Sequence, residues 1–242
     1  MRTSSNWKEK YHIFWHDTDK TGKMSLAAIS RYLQETAWKN AEALGFGYNR
    51  AKELNQFWVL VRQLINMDRL PLWGETIEIE TWPRDVDGIW AFRDYLINDE
   101  KGNRLGGVAS SWMVVDGETH RPQKPEIVRH ALPILNEKMA LGEAASKIVI
   151  PENCESIDSR LVRFTDMDYN GHVNNAKYIE WAMDALSLNN LLRPFQNLLI
   201  NFISEAVEGE SVKICCSPPD QRISLKGSRK KDDRDIFTLE LW

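Results

Sequence analysis

Two stretches of the chain share one pattern: "HDTDKTGKMSLAAISRYLQETA" from His16 to Ala37 and "TDMDYNGHVNNAKYIEWAMDAL" from Thr165 to Leu186. Both run into apolar residues at three- and four-residue steps, the spacing of an amphipathic helix. Three pairs of residues stand 149 positions apart in these stretches: Asp17 and Asp166, Asp19 and Asp168, and Gly22 and Gly171. The constant offset indicates an internal duplication.

Residues at the ends of the two helical patterns predict where each helix begins and stops. Ser25 can cap the first helix, and Gly45 can end it. Asn174 or Asn175 can cap the second helix.

Each predicted helix is followed by segments that alternate apolar and polar residues, as strands do. The first copy continues as "FWVLVRQLINMDRLPLWGETIEIETW", with a turn at 71–74, and the second as "NLLINFISEAVEGESVKICC". Each copy then ends in a further hairpin. One long helix wrapped by a curved antiparallel sheet is an α+β architecture. The sequence therefore predicts two such domains, 1–130 and 156–242, joined by a linker at 131–155.

The composition and net charge of the chain exclude several classes of protein. With 43% hydrophobic and 27% charged residues the chain can bury a core, and its net charge of −4 argues against nucleic acid as a partner. It has no apolar run long enough for a signal peptide or a membrane span, so we expect a soluble, cytoplasmic protein. Three cysteines without C-x-x-C spacing, Cys154, Cys215 and Cys216, predict neither a disulfide framework nor a zinc site, and we expect no cofactor.

The two copies differ in the side chains that can do chemistry. Where the second copy has Asn170 and His172, the first has Thr21 and Lys23, although both keep the aspartate represented by Asp168. A loop with a purely structural role should need similar residues in both copies, so we expect the activity in the second. For any one of these residues taken alone, a helix cap or a satisfied surface histidine is the structural alternative.

The loop of the second copy offers groups suited to acyl transfer. Asp168 and His172 can act as a general base or orient one, and the Asn170 amide can donate to an acyl oxygen or fix a water. Backbone N–H groups at the start of a helix can hold a developing oxyanion, and here they belong to Val173, Asn174 and Asn175.

The nucleophile expected at this loop is water. The chain has no Gly-x-Ser-x-Gly elbow, and its five histidines show no metal-type spacing. A thioester suits such a site because its thiol, with a pKa near ~8.5, leaves as thiolate with little help.

The segment "DMDYNGHVNNAKYIEW" resembles the active-site segment of acyl-[acyl-carrier-protein] thioesterases of the plant and bacterial fatty-acid type, which have two hotdog domains in tandem. The segments "LQETA" and "GVASSWMVVD" are similar to the N-terminal half of that family, and the resemblance covers roughly residues 11 to 217. It implies an α+β double hotdog fold. It also implies hydrolysis of a fatty acyl chain from the phosphopantetheine arm of acyl carrier protein. The shorter "GHVNN" core is shared with single-hotdog acyl-CoA thioesterases.

The family's site residues can be carried over one position at a time. Its catalytic Asp, Asn and His match Asp168, Asn170 and His172, and its Glu on the following strand matches Glu205. Plant members carry a Cys after that Glu, but this chain has Ala206, so a Cys–His–Asn mechanism is not expected. Either carboxylate can then activate the water. The N-terminal domain shapes the acyl pocket in the family, and the candidates there are Trp58, Met67, Trp82 and Trp112.

Other functions and partners stay open at this point. A hotdog acyl-CoA thioesterase, a non-catalytic acyl-binding protein and a hotdog dehydratase are the alternatives. Plant members carry a transit peptide and this sequence starts without one, so the resemblance implies a bacterial, cytoplasmic enzyme. Acyl carrier protein is acidic, so we expect it to dock on a local basic surface. Association into a homodimer is left open.

Overall fold

The computed structural model describes residues 5–125, 138–150, 153–218 and 220–242. The chain divides into two compact units, Met1–Ala145 and Ser146–Trp242. Parts of the predicted linker, 131–137 and 151–152, lie outside the described residues, so the predicted domain boundaries stay a prediction. Within the described ranges no helix has the length and apolar character needed to cross a membrane.

The first unit combines a long helix, a short helix and an antiparallel sheet. The helices are α1 (Leu26–Ala43) and α2 (Tyr48–Glu53). The strands are β1 (Trp7–His12), β2 (Gln56–Met67), β3 (Thr76–Asp87), β4 (Trp90–Asp99), β5 (Arg104–Asp116) and β6 (Pro122–Gln123). The strand order is β1-β3-β4-β5-β2, and β6 pairs with β5.

The predicted ends of α1 are confirmed. Ser25 is the N-cap, and its side chain accepts the N–H of Ala28 at 3.1 Å. Gly45 follows the last turn with φ 80°, a conformation that glycine adopts without steric cost. The predicted apolar stripe is buried, with Ile29 and Leu33 at its centre.

One face of the first sheet packs on α1. Arg93 of β4 donates to the Asn40 side chain of α1 at 2.6 Å, and Gln63 of β2 accepts from the Ser30 hydroxyl of α1 at 2.8 Å. Successive side chains along a strand alternate between faces. Residues two positions from Arg93 or Gln63, and their cross-strand partners, therefore share the side that faces α1.

The second unit repeats this plan with shorter elements. Its helix is α3 (Asn175–Leu188), and its strands are β7 (Glu155–Leu161), β8 (Asn197–Phe202), β9 (Ser211–Cys216), β10 (Ile223–Arg229) and β11 (Asp235–Leu241). The strand order is β8-β11-β10-β9-β7. Of the two candidate caps, Asn174 is the one used, since its side chain accepts the N–H of Ala176 at 3.0 Å.

Matching backbone hydrogen bonds confirm the predicted duplication. They stabilise the loop before the long helix in each unit. Within the loop, Asp19 N–H donates to Lys23 O in the first unit and Asp168 N–H donates to His172 O in the second, both at 2.8 Å. After the loop, Met24 N–H donates to Pro71 O at 2.7 Å in the first unit, and Val173 N–H donates to Ala206 O at 3.1 Å in the second. The last two bonds make Pro71 and Ala206 equivalent. Leu70 of the first unit is therefore the counterpart of Glu205.

Candidate active site

The loop before α3 is a tight turn closed by Asp168. Its Oδ1 accepts the N–H of Asn170 at 2.9 Å, and Gly171 follows with φ 77°, in the left-handed region that favours glycine. Asp19 makes the same turn in the first unit, where its Oδ1 accepts the N–H of Thr21 at 2.7 Å. Because both copies make this contact, the contact of Asp168 is explained by folding of the loop alone.

This loop brings His172 against Glu205, which lies just after β8. His172 Nε2 and Glu205 Oε2 are 3.0 Å apart, a hydrogen-bond distance. The bond from Val173 N–H to the Ala206 carbonyl ties the two segments together. The side chains of His172 and Glu205 are 33% and 50% exposed, so a water molecule and a substrate can reach both. The arrangement can take a proton from water.

The start of α3 has fewer free N–H groups than the sequence predicts. Val173 donates to the Ala206 carbonyl, and Asn174 donates to the Asp166 carbonyl at 2.9 Å. The prediction is corrected for these two residues, because the hydrogen bonds that shape the loop use their N–H groups. Asn175, the first residue of α3, has an N–H with no acceptor among the described residues. It is the remaining candidate for holding an oxyanion.

Tyr178 lies beside the site and is not among the residues that the loop pattern or the family resemblance indicates. Burial raises the pKa of its hydroxyl, and the negative charges of Glu205 and Asp168 raise this pKa further. A hydrogen bond from the Ala206 backbone lowers it, but by less than burial raises it. The hydroxyl is therefore protonated near neutral pH. Its counterpart 149 positions earlier is Ile29, so extending the comparison of the two copies into the helix would have found it.

The first unit keeps the loop but not the chemistry. At the positions of Asn170, His172, Tyr178 and Glu205 it carries Thr21, Lys23, Ile29 and Leu70. It therefore lacks an imidazole–carboxylate pair at this loop. The asymmetry seen in the sequence extends to four positions that the fold makes equivalent.

The chain matches two family models, the acyl-ACP thioesterase N-terminal domain over residues 4–130 and the acyl-ACP thioesterase C-terminal domain over residues 152–236. It belongs to the acyl-ACP thioesterase family. A palmitoyl-acyl carrier protein thioesterase of Arabidopsis thaliana is 30% identical over 192 residues, 74% of this chain and 47% of that protein. Its counterpart in Gossypium hirsutum is 32% identical over 177 residues, 68% of this chain and 43% of that protein. The chain thus spans about half the length of these curated relatives.

Solved structures of acyl-ACP thioesterases share the fold. One from Bacteroides thetaiotaomicron has a TM-score of 0.88 at 20% identity, covering 98% of this chain and 97% of that one. The 12:0-ACP thioesterase from Umbellularia californica has a TM-score of 0.84 at 19% identity, covering 99% and 97%. The predicted α+β double hotdog fold is confirmed.

The four acyl-pocket candidates implied by the family lie on two faces of the first sheet. Trp58, Met67 and Trp112 lie on the side that faces α1, as the strand register requires. Trp82 lies on the opposite side, where its indole N–H donates to the Lys138 carbonyl at 2.9 Å. Within the first unit this placement removes Trp82 from a pocket shared with the other three.

Two of the family-matched side chains are not held against the His172–Glu205 pair by any described contact. Asn170 is exposed, and its side-chain amide makes no hydrogen bond within the described ranges. Asp168 is held in its own turn.

A cavity of about 460 Å³ on the second unit lies along β7 and the outer face of α3, and none of the four predicted catalytic residues lines it. Among the described residues, no three His, Cys, Asp or Glu side chains are grouped to hold a metal ion.

Proposed function

We propose that the chain hydrolyses the thioester between a fatty acyl chain and the phosphopantetheine arm of acyl carrier protein, releasing free fatty acid. Membership of the family supports this reaction. The observation that carries it for this chain is the 3.0 Å contact between His172 and Glu205 at the start of α3. The first unit has Lys23 and Leu70 at those positions, so the proposed site belongs to the second unit.

In the proposed mechanism water is the nucleophile. A water molecule held by the His172–Glu205 pair loses a proton to that pair as its oxygen attacks the thioester carbonyl carbon. The carbonyl π electrons move onto oxygen, and the N–H of Asn175 stabilises the resulting oxyanion at the positive end of the α3 dipole. When the oxyanion collapses, the C–S bond breaks, and the departing thiolate recovers the proton. The products are a fatty acid and a thiol.

Glu205 is the carboxylate that we assign to the water. One oxygen of Asp168 accepts the Asn170 N–H, and Asp19 makes the same contact in the unit without an imidazole–carboxylate pair. We therefore assign Asp168 to shaping the loop that carries His172. The protonated hydroxyl of Tyr178 is available near Glu205 as a further donor.

The partner and the location form part of the proposal. The partner is acylated acyl carrier protein, and the location is the bacterial cytoplasm. The curated relatives are named as chloroplastic proteins. A homodimer stays a prediction.

Kinetics on matched substrates test the reaction. The same acyl chain is presented as a carrier-protein thioester and as a CoA thioester, and kcat/KM is measured for each. We expect faster hydrolysis of the carrier-protein thioester, and accumulation of free fatty acid when the chain is produced in a bacterium. Turnover of the CoA thioester alone would favour the acyl-CoA thioesterase alternative, and no turnover of either would favour an acyl-binding protein.

A further inference from the structure

Ala206, the residue directly after Glu205, has a buried backbone N–H. The residue is 0% exposed, and no backbone carbonyl of the described residues accepts this N–H. Its carbonyl, by contrast, accepts the N–H of Val173 at 3.1 Å. The hydroxyl of Tyr178 accepts the Ala206 N–H. A buried N–H without a partner is costly, so this hydrogen bond satisfies a group that the backbone does not.

Tyr178 reaches this segment from the first turn of α3. Its side chain is buried, and its ring packs on Phe202 at the end of β8 and on Phe237 of β11, with ring centroids 6.2 and 5.1 Å apart. Aromatic contacts of this kind hold a ring in one orientation. The hydroxyl is therefore presented from a fixed ring to the segment that follows β8.

The first unit is built without this hydrogen bond. The counterparts of Tyr178 and Ala206 there are Ile29 and Pro71. Isoleucine has no hydroxyl to offer and proline has no N–H to satisfy, so the two differences match each other. The carbonyl of Pro71 still accepts an N–H from the loop, as that of Ala206 does. The fold is thus compatible with either pair, and the hydrogen-bonded pair occurs in the unit that carries the imidazole and the carboxylate.

The hydrogen bond acts on the peptide group that joins Glu205 to Ala206. A peptide group is planar, so holding its N–H fixes the direction in which the chain leaves Glu205. The half-exposed carboxylate of Glu205 has one hydrogen-bond partner among the described residues, His172 at 3.0 Å. Its position therefore depends on the backbone that carries it.

We propose that Tyr178 is a positioning residue, whose hydroxyl acts through the N–H of Ala206 to hold Glu205 in reach of His172. The inference rests on the proposed function, because the positioning serves the reaction at the His172–Glu205 pair. A displacement of ~1 Å can lower an enzymatic rate about 100-fold, so this hydrogen bond should contribute a measurable factor to kcat. Substrate binding should depend on it much less, since Tyr178 is buried.

Kinetics of Tyr178→Phe test the inference, because this variant keeps the ring and removes the hydroxyl. We expect kcat to fall at least about tenfold while KM stays within about threefold. Added to Glu205→Ala, the same change should lower kcat by no more than about twofold, since no carboxylate is left to position. A smaller loss in folded Tyr178→Phe, or a full further loss in the Glu205→Ala chain, would overturn the inference.

Tyr11→Phe is the matched control for the loss of a tyrosine hydroxyl. In the first unit this hydroxyl makes a hydrogen bond with that of Thr36 at 2.9 Å. Both Tyr→Phe variants should lower Tm by about 2–4 °C, but Tyr11→Phe should keep wild-type kcat. An equal loss of kcat in the control would mean that reduced stability alone explains the effect, and the inference would fail.

Ala206→Pro removes the same hydrogen bond from the other side. Because Pro71 occupies the equivalent backbone position, we expect this variant to fold. Tyr178→Phe/Ala206→Pro should be no slower than the slower single variant, within about threefold. Losses that multiply would mean that the hydroxyl does not act through this N–H, and would overturn the inference.

A spectroscopic measurement separates this inference from the proposed reaction. The ring-nitrogen chemical shifts of His172, assigned by their absence in His172→Ala, report its hydrogen bond with Glu205. Glu205→Ala should move these shifts, Tyr178→Phe should move them in the same direction, and Tyr11→Phe should leave them unchanged. This result without any turnover would support the inference while the proposed hydrolysis fails. Unchanged shifts in Tyr178→Phe would overturn the inference whatever the turnover.

Discussion

The contact between His172 and Glu205 leads to a quantitative prediction about catalysis. The two side chains, 3.0 Å apart, are proposed to take the proton of one water molecule as a unit. Removing either one therefore removes the same contribution. His172→Ala and Glu205→Ala should each lower kcat by about 100-fold or more, the usual range for general acid–base groups. This corresponds to about 2.7 kcal/mol or more of activation free energy.

The double variant provides the sharper part of the test. Residues that act as a unit give strongly non-additive effects, so His172→Ala/Glu205→Ala should be no slower than the slower single variant, within about threefold. Stability should change little, because a polar contact this exposed contributes at most about 1 kcal/mol. The assay is thiol release from an acylated carrier protein, with unfolding curves for each variant. Lys23→Ala, at the equivalent position of the first unit, is the matched control and should keep wild-type kcat.

Two results would refute this reasoning. Single losses that multiply, to about 10⁴-fold in the double variant, would mean that His172 and Glu205 act in separate steps. A loss of less than tenfold for Glu205→Ala in a folded protein would remove Glu205 from the chemistry and return the role of base to Asp168.

Three further predictions concern the loop, the thiols and the pH dependence of stability. Asp168→Asn keeps an oxygen acceptor for the turn and should hold kcat within about tenfold of wild type, whereas Asp168→Ala should lower it about 100-fold; similar large losses in both would make Asp168 the base. Cys215→Ser and Cys216→Ser should leave kcat within about threefold of wild type, since water is the proposed nucleophile, and strong inactivation of a folded variant would contradict this. Burial acts to raise the pKa of Glu210, but hydrogen bonds, first that from Lys231, hold it below its ordinary value. The carboxylate therefore contributes stability above pH ~4.5 that is lost as pH falls through its folded-state pKa. Urea unfolding should show Glu210→Gln less stable by about 1 kcal/mol at pH 7 and a difference that shrinks towards pH 3; a constant difference would contradict the assignment.

The fold was predictable because its signals are local and occur twice. The cap Ser25, the terminating Gly45 and the three- and four-residue apolar steps between them define α1 without any long-range contact. The second copy repeats the pattern 149 positions later, so each segment supports the interpretation of the other. The choice of Asn174 over Asn175 as a cap depends on the backbone conformation at α3 and could not be read from residue type.

The sequence names candidate residues for the site but not their geometry. The loop pattern singles out His172, Glu205 comes from the family resemblance, and the 3.0 Å distance between them depends on the hydrogen bond between the loop and the segment after β8. That hydrogen bond uses the N–H of Val173, which the sequence alone predicts to be free to hold an oxyanion. The side of the sheet on which Trp82 lies depends on the strand register against α1, and so does the contact of Gln63 with Ser30. These properties arise from tertiary contacts that no single segment encodes.

The most direct test of the central claim follows thiol and free fatty acid together as an acylated carrier protein is consumed. Wild type should release one thiol for each fatty acid, and Lys23→Ala should release both products at the wild-type rate. Release by His172→Ala should be at least about 100-fold slower. Absence of release by the wild type, or an equally large loss in Lys23→Ala, would contradict a single hydrolytic site in the second unit.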